Sequence, residues 1–365
     1  MLLIMMSAAA MMAMAAAPDK DLCAVASQVT QGRACVQSKD GIAISDDANR
    51  ARQLLGYADA GATRFRTRFN REPLPFAVVE TNDGKVAGAT LAGLKAAGFG
   101  AVLPWLSAAG FQTQIEASVR RAVEAQTAGL SSEAREAVVQ QALAQVASKP
   151  VPAGRDAGAV PHELGHIWYA EAYWPGQVRE GGHYGAPGPD WMDETAAVLM
   201  ETAEFAADRT KQFGELYNKL RKDRALDKAP DNELVDLPRF FASSHPGVAR
   251  GKAMVNEIKK GLGDTPQDGI VIRASTGPEA EKFAAVAAQY YLQATLVAEY
   301  LIARTGDSAV FARIGAAFGR GETMGQWLAN LEPKGQLPRS IAALQADWLR
   351  WLDQRFPLEG SKPAA

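Results

Sequence analysis

The chain has four histidines, and two of them, His162 and His166, stand four residues apart in the run HELGH, with Glu163 directly after the first. Residues i and i+4 of a helix share a face with Cβ atoms about 5–6 Å apart, so both imidazoles reach one ion at about 2.0–2.1 Å. Glu163 is turned about 100° from His162, close enough to touch a water on that ion without becoming a ligand. A carboxylate so placed accepts the water's proton and passes it to a leaving amine. The spacing therefore points to hydrolysis of an amide assisted by one Zn²⁺ per chain.

A tetrahedral zinc that keeps one position for water takes three protein ligands, so the two histidines need a companion. The pattern HExxHxxGxxH would supply a third histidine, but Tyr169 and Ala172 occupy its glycine and histidine positions. His183 is chemically possible, although it lies in the Gly- and Pro-rich run PGQVREGGHYGAPGPD, which holds a ligand poorly. Glu194 is better placed, because it begins a helix, in WMDETAA, that this loop can fold back beside HELGH.

HELGH followed by WMDETAA resembles the gluzincin zinc metallopeptidases, the peptidase MA-like superfamily of thermolysin and the aminopeptidase N type enzymes. Their second motif has a Trp, a hydrophobic residue, a polar residue and then the zinc-binding Glu. Matched residue by residue, the resemblance implies His162, His166 and Glu194 as zinc ligands and Glu163 as general base. Thr195 stands where a glycine is usual. YLQATLVAEYL, from Tyr291 to Leu301, resembles the helix that in aminopeptidase-like gluzincins opens with a tyrosine. This implies Tyr291 as a donor to the oxyanion, a role suited to a phenol. His245, in SSHPGV, is the rival donor, since histidine fills this role in thermolysin-like enzymes.

The motifs cover roughly residues 155 to 350. They imply an α+β, zincin-like catalytic core, with a mixed helix and strand N-terminal part, a mainly helical C-terminal part, and a peptide or protein as substrate. The GxMEN-type segment that grips a free amino terminus is not recognisable, which speaks against an exopeptidase. Two other readings use the same residues: a zinc hydrolase acting on a non-peptide amide, and a catalytically silent binding module with the peptidase fold. The retained Glu163 argues against the last.

The elements that must position these groups can be read from periodicity and turn residues. Residues 46–69 have helical composition, FAVVET (76–81) reads as a strand closed by the turn at Asn82, Asp83 and Gly84, and GFGAVLPW offers a second strand. Helix returns over 112–149, with Ser131 or Ser132 as N-cap and Val138, Ala142 and Val146 on one face. Because Pro161 suits a first turn, the HELGH helix is expected to begin near Ala157 or Gly158 and to stop at Pro175 and Gly176. Arg179, Glu180 and His183 fall in the loop that follows. Asp190 is then the expected N-cap of one helix running through WMDETAAVLMETAEFAADRT, with Asp193 and Glu194 in its first turn. Further helices are expected around 283–305 and 308–319. Trp168, Tyr169, Trp174 and Trp191 read as core aromatics.

With 365 residues, 47% of them hydrophobic, the chain can bury a substantial core as one large domain or two closely packed ones. The expected division falls near residue 154, between an α+β part (18–154) and a catalytic part (155–355). A net charge of −2 without a basic stripe or acidic tail makes nucleic acid an unsuitable partner. MLLIMMSAAAMMAMAAA (1–17) reads as a signal peptide, too short to span a membrane comfortably, with Ala13, Ala15 and Ala17 suiting cleavage. No Lys or Arg follows Met1, so the alternative is a buried or interfacial N-terminal helix. An exported, periplasmic or secreted, protein without stable membrane insertion after cleavage is expected. In that compartment Cys23 and Cys35 should pair; inside the cell they would be free thiols.

Overall fold

The computed structural model describes residues 21–30, 32–127, 129–147, 154–177, 187–228, 231–246, 278–331 and 337–358. The expected signal peptide, and Arg179, Glu180 and His183, lie outside them. In chain order the elements are α1 (Leu22–Thr30), β1 (Ala34–Gln37), β2 (Gly41–Ser45), α2 (Ala48–Phe69), β3 (Phe76–Thr81), α3 (Gly88–Ala96) and β4 (Ala101–Leu106). Then come α4 (Ala108–Gln126), α5 (Ser132–Ala147), α6 (Arg155–Tyr173), α7 (Asp190–Val198), α8 (Ala203–Lys222), a 3₁₀ turn (Asp231–Val235) and α9 (Leu237–Ala242). The remaining helices are α10 (Pro278–Thr305), α11 (Val310–Gly319), α12 (Met324–Ala329) and α13 (Ile341–Arg355). A sheet in the N-terminal part and a mostly helical remainder make this an α+β protein, as the sequence predicts.

The four strands lie in the order β1-β2-β3-β4, with β1 antiparallel to β2 and the other pairs parallel. Parallel strands joined by crossover helices are covered on both faces, so they read as unbroken apolar runs. GIAIS and most of FAVVET are buried accordingly. Alternation still sorts their side chains. Ile42, Ile44, Ala77 and Val79 meet Ala26 of α1 and Leu94 of α3. Ala43, Phe76 and Val78 face the other way, onto Leu54 and Phe65 of α2 and Trp168 of α6. Cys23 and Cys35 form a disulfide between α1 and the edge strand β1.

The second of these clusters continues from the sheet to Leu352, so α2, α6, α10 and α13 share one core. Trp168, Tyr169, Trp174 and Trp191 are all buried in it, as expected of core aromatics. Trp348 adds a polar tie by donating from Nε1 to the carbonyl of Val235 at 3.1 Å. Among the described residues no helix is long and apolar enough to cross a membrane.

Four local expectations are corrected. The HELGH helix begins at Arg155, a turn or less before the expected start, leaving Pro161 inside it. Its first turn is held from outside: Asp156 pairs with Arg50 at 2.6 Å, and the Arg155 guanidinium lies over the Phe111 ring. Pro161 itself is buried, and its Cβ occupies the space where a Cβ on Gly61 would fall, only 2.6 Å away. Asp190 is the first residue of α7, not its cap; Pro189 stands at the N-cap, and the Asp190 carboxylate accepts instead from the backbone N–H of His245 at 2.9 Å.

The helix expected through WMDETAAVLMETAEFAADRT breaks into α7 and α8. Thr202 caps α8 by accepting from the N–H of Phe205, and Arg64 donates to the Met200 carbonyl at 2.8 Å, stabilising the turn between them. In α5, Ser131 supplies the cap, but the buried face centres on Val139 with Ala142 and Leu143 beside it, while Val138 is exposed. Packing against Val119 and Val123 of α4 selects that face over the one read from spacing.

Candidate metal site

α6 presents His162 and His166 inward one turn apart, and α7 crosses it closely enough to bring Glu194 to the same point. Gly165 makes the approach possible: a Cβ there would lie 2.9 Å from Met200 Cγ and 3.0 Å from Ala197 Cα. Thr195, in the position where the resemblance has glycine, is buried and turns its hydroxyl back to donate to the Trp191 carbonyl at 2.6 Å. It thus consumes its own polarity within α7.

The facing ligand atoms form a small triangle. His162 Nε2 lies 3.3 Å from His166 Nε2 and 3.3 Å from Glu194 Oε1, and His166 Nε2 lies 3.9 Å from Glu194 Oε2. Ligands at about 2.05 Å on a tetrahedral ion stand about 3.3 Å from one another, so two of these separations match such a centre, while the third, 3.9 Å to the other Glu194 oxygen, is wider. All three residues are buried, and among the described residues they form a group of His and carboxylate side chains suited to hold a metal ion. Glu194 has no solvent exposure, and neither of its oxygens accepts a hydrogen bond from the described residues. A buried carboxylate without donors carries a large desolvation cost that a cation offsets. The donor set therefore fits a metal ion.

The other nitrogen of each ring is occupied. His162 Nδ1 lies 2.7 Å from Glu201 Oε1, and His166 Nδ1 lies 3.0 Å from Asp193 Oδ1. Ionised carboxylates only accept, so both Nδ1 atoms donate and both Nε2 atoms are left to act as ligands. Neither Asp193 nor Glu201 was identified from sequence as a partner of the histidines. Asp193 read as a helix-start carboxylate. The signal for Glu201 was its place seven residues after Glu194, two turns on along the same face, but only the turn before α8 brings it to His162.

Electrostatics agree with a cation site. Burial pushes Glu194 upward from the ordinary carboxylate range; the two histidines pull it back, and the charges of Asp193 and Glu163 add to the rise. Burial works against positive charge on His166, yet Asp193, Glu194 and Glu163 outweigh it and raise the ring to about 9. His162 is raised for the same reason, burial being outweighed by Glu194 and Glu201. Glu163 is half-buried on the same helix and close enough for its charge to act on both His166 and Glu194.

The two candidate oxyanion donors are neighbours. The Tyr291 ring, on α10, lies 5.9 Å from that of His162 and 5.5 Å from that of His245. His245 is buried, with Nε2 3.9 Å from Glu194 Oε2. Burial first, then the charges of His166 and His162, lower it to about 4, which leaves it neutral near pH 7. The arrangement thus brings together His162, Glu163, His166, Glu194, Tyr291 and His245, all singled out from the sequence. No protein-family model, curated protein or solved structure matches this chain.

Proposed function

We propose that this protein is an exported zinc-dependent peptidase of gluzincin type, with His162, His166 and Glu194 as the zinc ligands. The observation that carries the reading is the buried group of two Nε2 atoms and a carboxylate close enough to share one ion, with Glu163 on the helix that supplies both histidines. Two nitrogens and one oxygen, with a fourth position for water, are the donor set of a hydrolytic zinc centre. Zinc bound there supplies a Lewis acid that acidifies water and polarises a substrate carbonyl.

The remaining work belongs to side chains. Glu163 accepts the proton of the attacking water on its carboxylate and returns it to the amide nitrogen as the C–N bond breaks. Tyr291 donates its phenolic hydrogen to the carbonyl oxygen as negative charge grows there. Asp193 and Glu201 hold the histidine rings in the ligand orientation. The Cys23–Cys35 disulfide supports an oxidising compartment and hence export.

The test pairs the metal content of the purified protein with hydrolysis of a peptide library. About one zinc per chain and cleavage are expected for the wild type. Glu163→Gln should retain the zinc and lose about 10²- to 10⁴-fold in turnover. Full activity in Glu163→Gln would remove that residue from its role. Zinc binding without cleavage of any peptide would move the reading to a non-peptide amide or to a binding module.

A further inference from the structure

Glu201 is not held by His162 alone. Arg209, two turns into α8, donates from Nη2 to Glu201 Oε1 at 2.8 Å and places Nη1 2.6 Å from Oε2. The oxygen that meets Nη2 is the one that accepts from His162 Nδ1. The guanidinium also lies over the Tyr291 ring, 5.3 Å from its centroid, and that ring packs beside His162 and His245. One side chain thus meets two of the groups beside His162, Glu201 and Tyr291.

We propose that Arg209 is the positioning residue of this site: it fixes the His162 ring through Glu201 and holds Tyr291 against that ring. The inference rests on the metal reading above. A carboxylate gripped at one oxygen can rotate; a guanidinium that donates to one oxygen and stands in ion-pair contact with the other sets its plane. Glu201 is buried and only 18% of the Arg209 side chain is exposed, so water does not readily replace the contact. The three parts come from different elements: His162 from α6, Glu201 and Arg209 from the turn before α8 and from α8 itself, and Tyr291 from α10. A rigid link among them converts helix packing into ligand orientation. Holding Tyr291 matters separately, because a donor to a developing charge must already be in place when that charge forms.

The experiment measures Zn²⁺ affinity of the full chain by competition with a chromogenic chelator, for the wild type, Arg209→Met, Glu201→Gln and the double variant. Arg209→Met should weaken zinc binding about ten- to hundredfold, the range found when an outer hydrogen-bond partner of a metal ligand is lost. The double variant should bind zinc no more weakly than Glu201→Gln alone, because Arg209 acts through Glu201. At saturating zinc, the turnover number of Arg209→Met should fall while KM holds. Arg209→Lys, which keeps the charge without the fork, should fold in either case and lose part of both.

A lower melting temperature with unchanged zinc affinity in Arg209→Met, or additive losses in the double variant, would overturn the proposal and leave the metal site standing. Wild-type affinity and turnover in Arg209→Lys would overturn the requirement for the fork. A wild type that binds no zinc would overturn the metal reading, and the positioning role with it.

Discussion

Two clusters of charge in this molecule are built on opposite plans. At the carboxyl ends of β2 and β3, Glu80 accepts from Ser45 at 2.6 Å and from Arg50 at 2.8 Å, and Arg50 turns its other end to Asp156. Arg33 adds a donor to the Glu80 carbonyl and pairs with Asp46. Acids and bases alternate, and each carboxylate named has a donor. Around His162 and His166 stand Glu163, Asp193, Glu194 and Glu201, and Glu194 has no Arg or Lys within ion-pairing distance among the described residues. The first cluster is complete within the chain and serves to join α2, the sheet and α6. In the second, Arg209 pairs with Glu201, but Glu194 meets no Arg or Lys among the described residues and is suited to a cation from outside. Balance, more than charge count, separates a structural ion-pair network from a binding site.

The sharpest way to break this contrast is to neutralise one acid in the second cluster. Glu194→Gln keeps the side chain's shape and drops its charge, so zinc binding should be lost at metal levels that saturate the wild type. The metal-free protein should at the same time melt higher. The sign follows from the upward shift of Glu194: an acid whose folded form holds its proton more tightly loses stability by ionising near neutral pH. Calorimetry on chelator-treated protein checks it, and a lower melting temperature would place Glu194 in a balanced network after all.

The complementary change is in the first cluster. Arg50→Met should destabilise the fold by about 2 kcal/mol, leaving Glu80 and Asp156 without their shared partner, and denaturant titration should show it with zinc content unchanged. A smaller effect is expected between the clusters. Thr202→Ala removes the α8 cap next to Glu201 and should cost about 1 kcal/mol, seen as a lower denaturation midpoint with an unaltered slope.

How far the sequence led depends on the kind of signal each feature carried. His162, Glu163 and His166 were legible because histidine is rare here and helical geometry fixes what a spacing of four means. Glu194 needed a motif resemblance, since a carboxylate at a helix start has an ordinary explanation. Asp193 and Glu201 went unread as histidine partners because their role exists only in three dimensions. FAVVET and the AVLPW strand were visible as apolar runs between turns, whereas ACVQ and GIAIS are too short to stand out and owe their strand character to pairing with each other and with β3.

The break after α7 was hidden for another reason. LMETAEF has no Gly or Pro, and the stop comes from the Thr202 cap and from Arg64, 136 residues earlier than the carbonyl it binds. Likewise Pro161 was read by its local preference, while its place is decided by the gap over Gly61. In α5, the choice of Val139 over Val138 belongs to α4.

Gly165 shows that HELGH is a statement about thickness as well as chemistry. The two letters between Glu163 and His166 look like blanks, yet Leu164 is wholly buried in the core and Gly165 is the bearing surface on which α7 rests. A single methyl group at 165 would leave every ligand chemically intact and act as a shim between the helices, stretching the triangle toward Glu194. The fit of this site to an ion is therefore gauged, in part, by a residue that has no side chain with which to touch it.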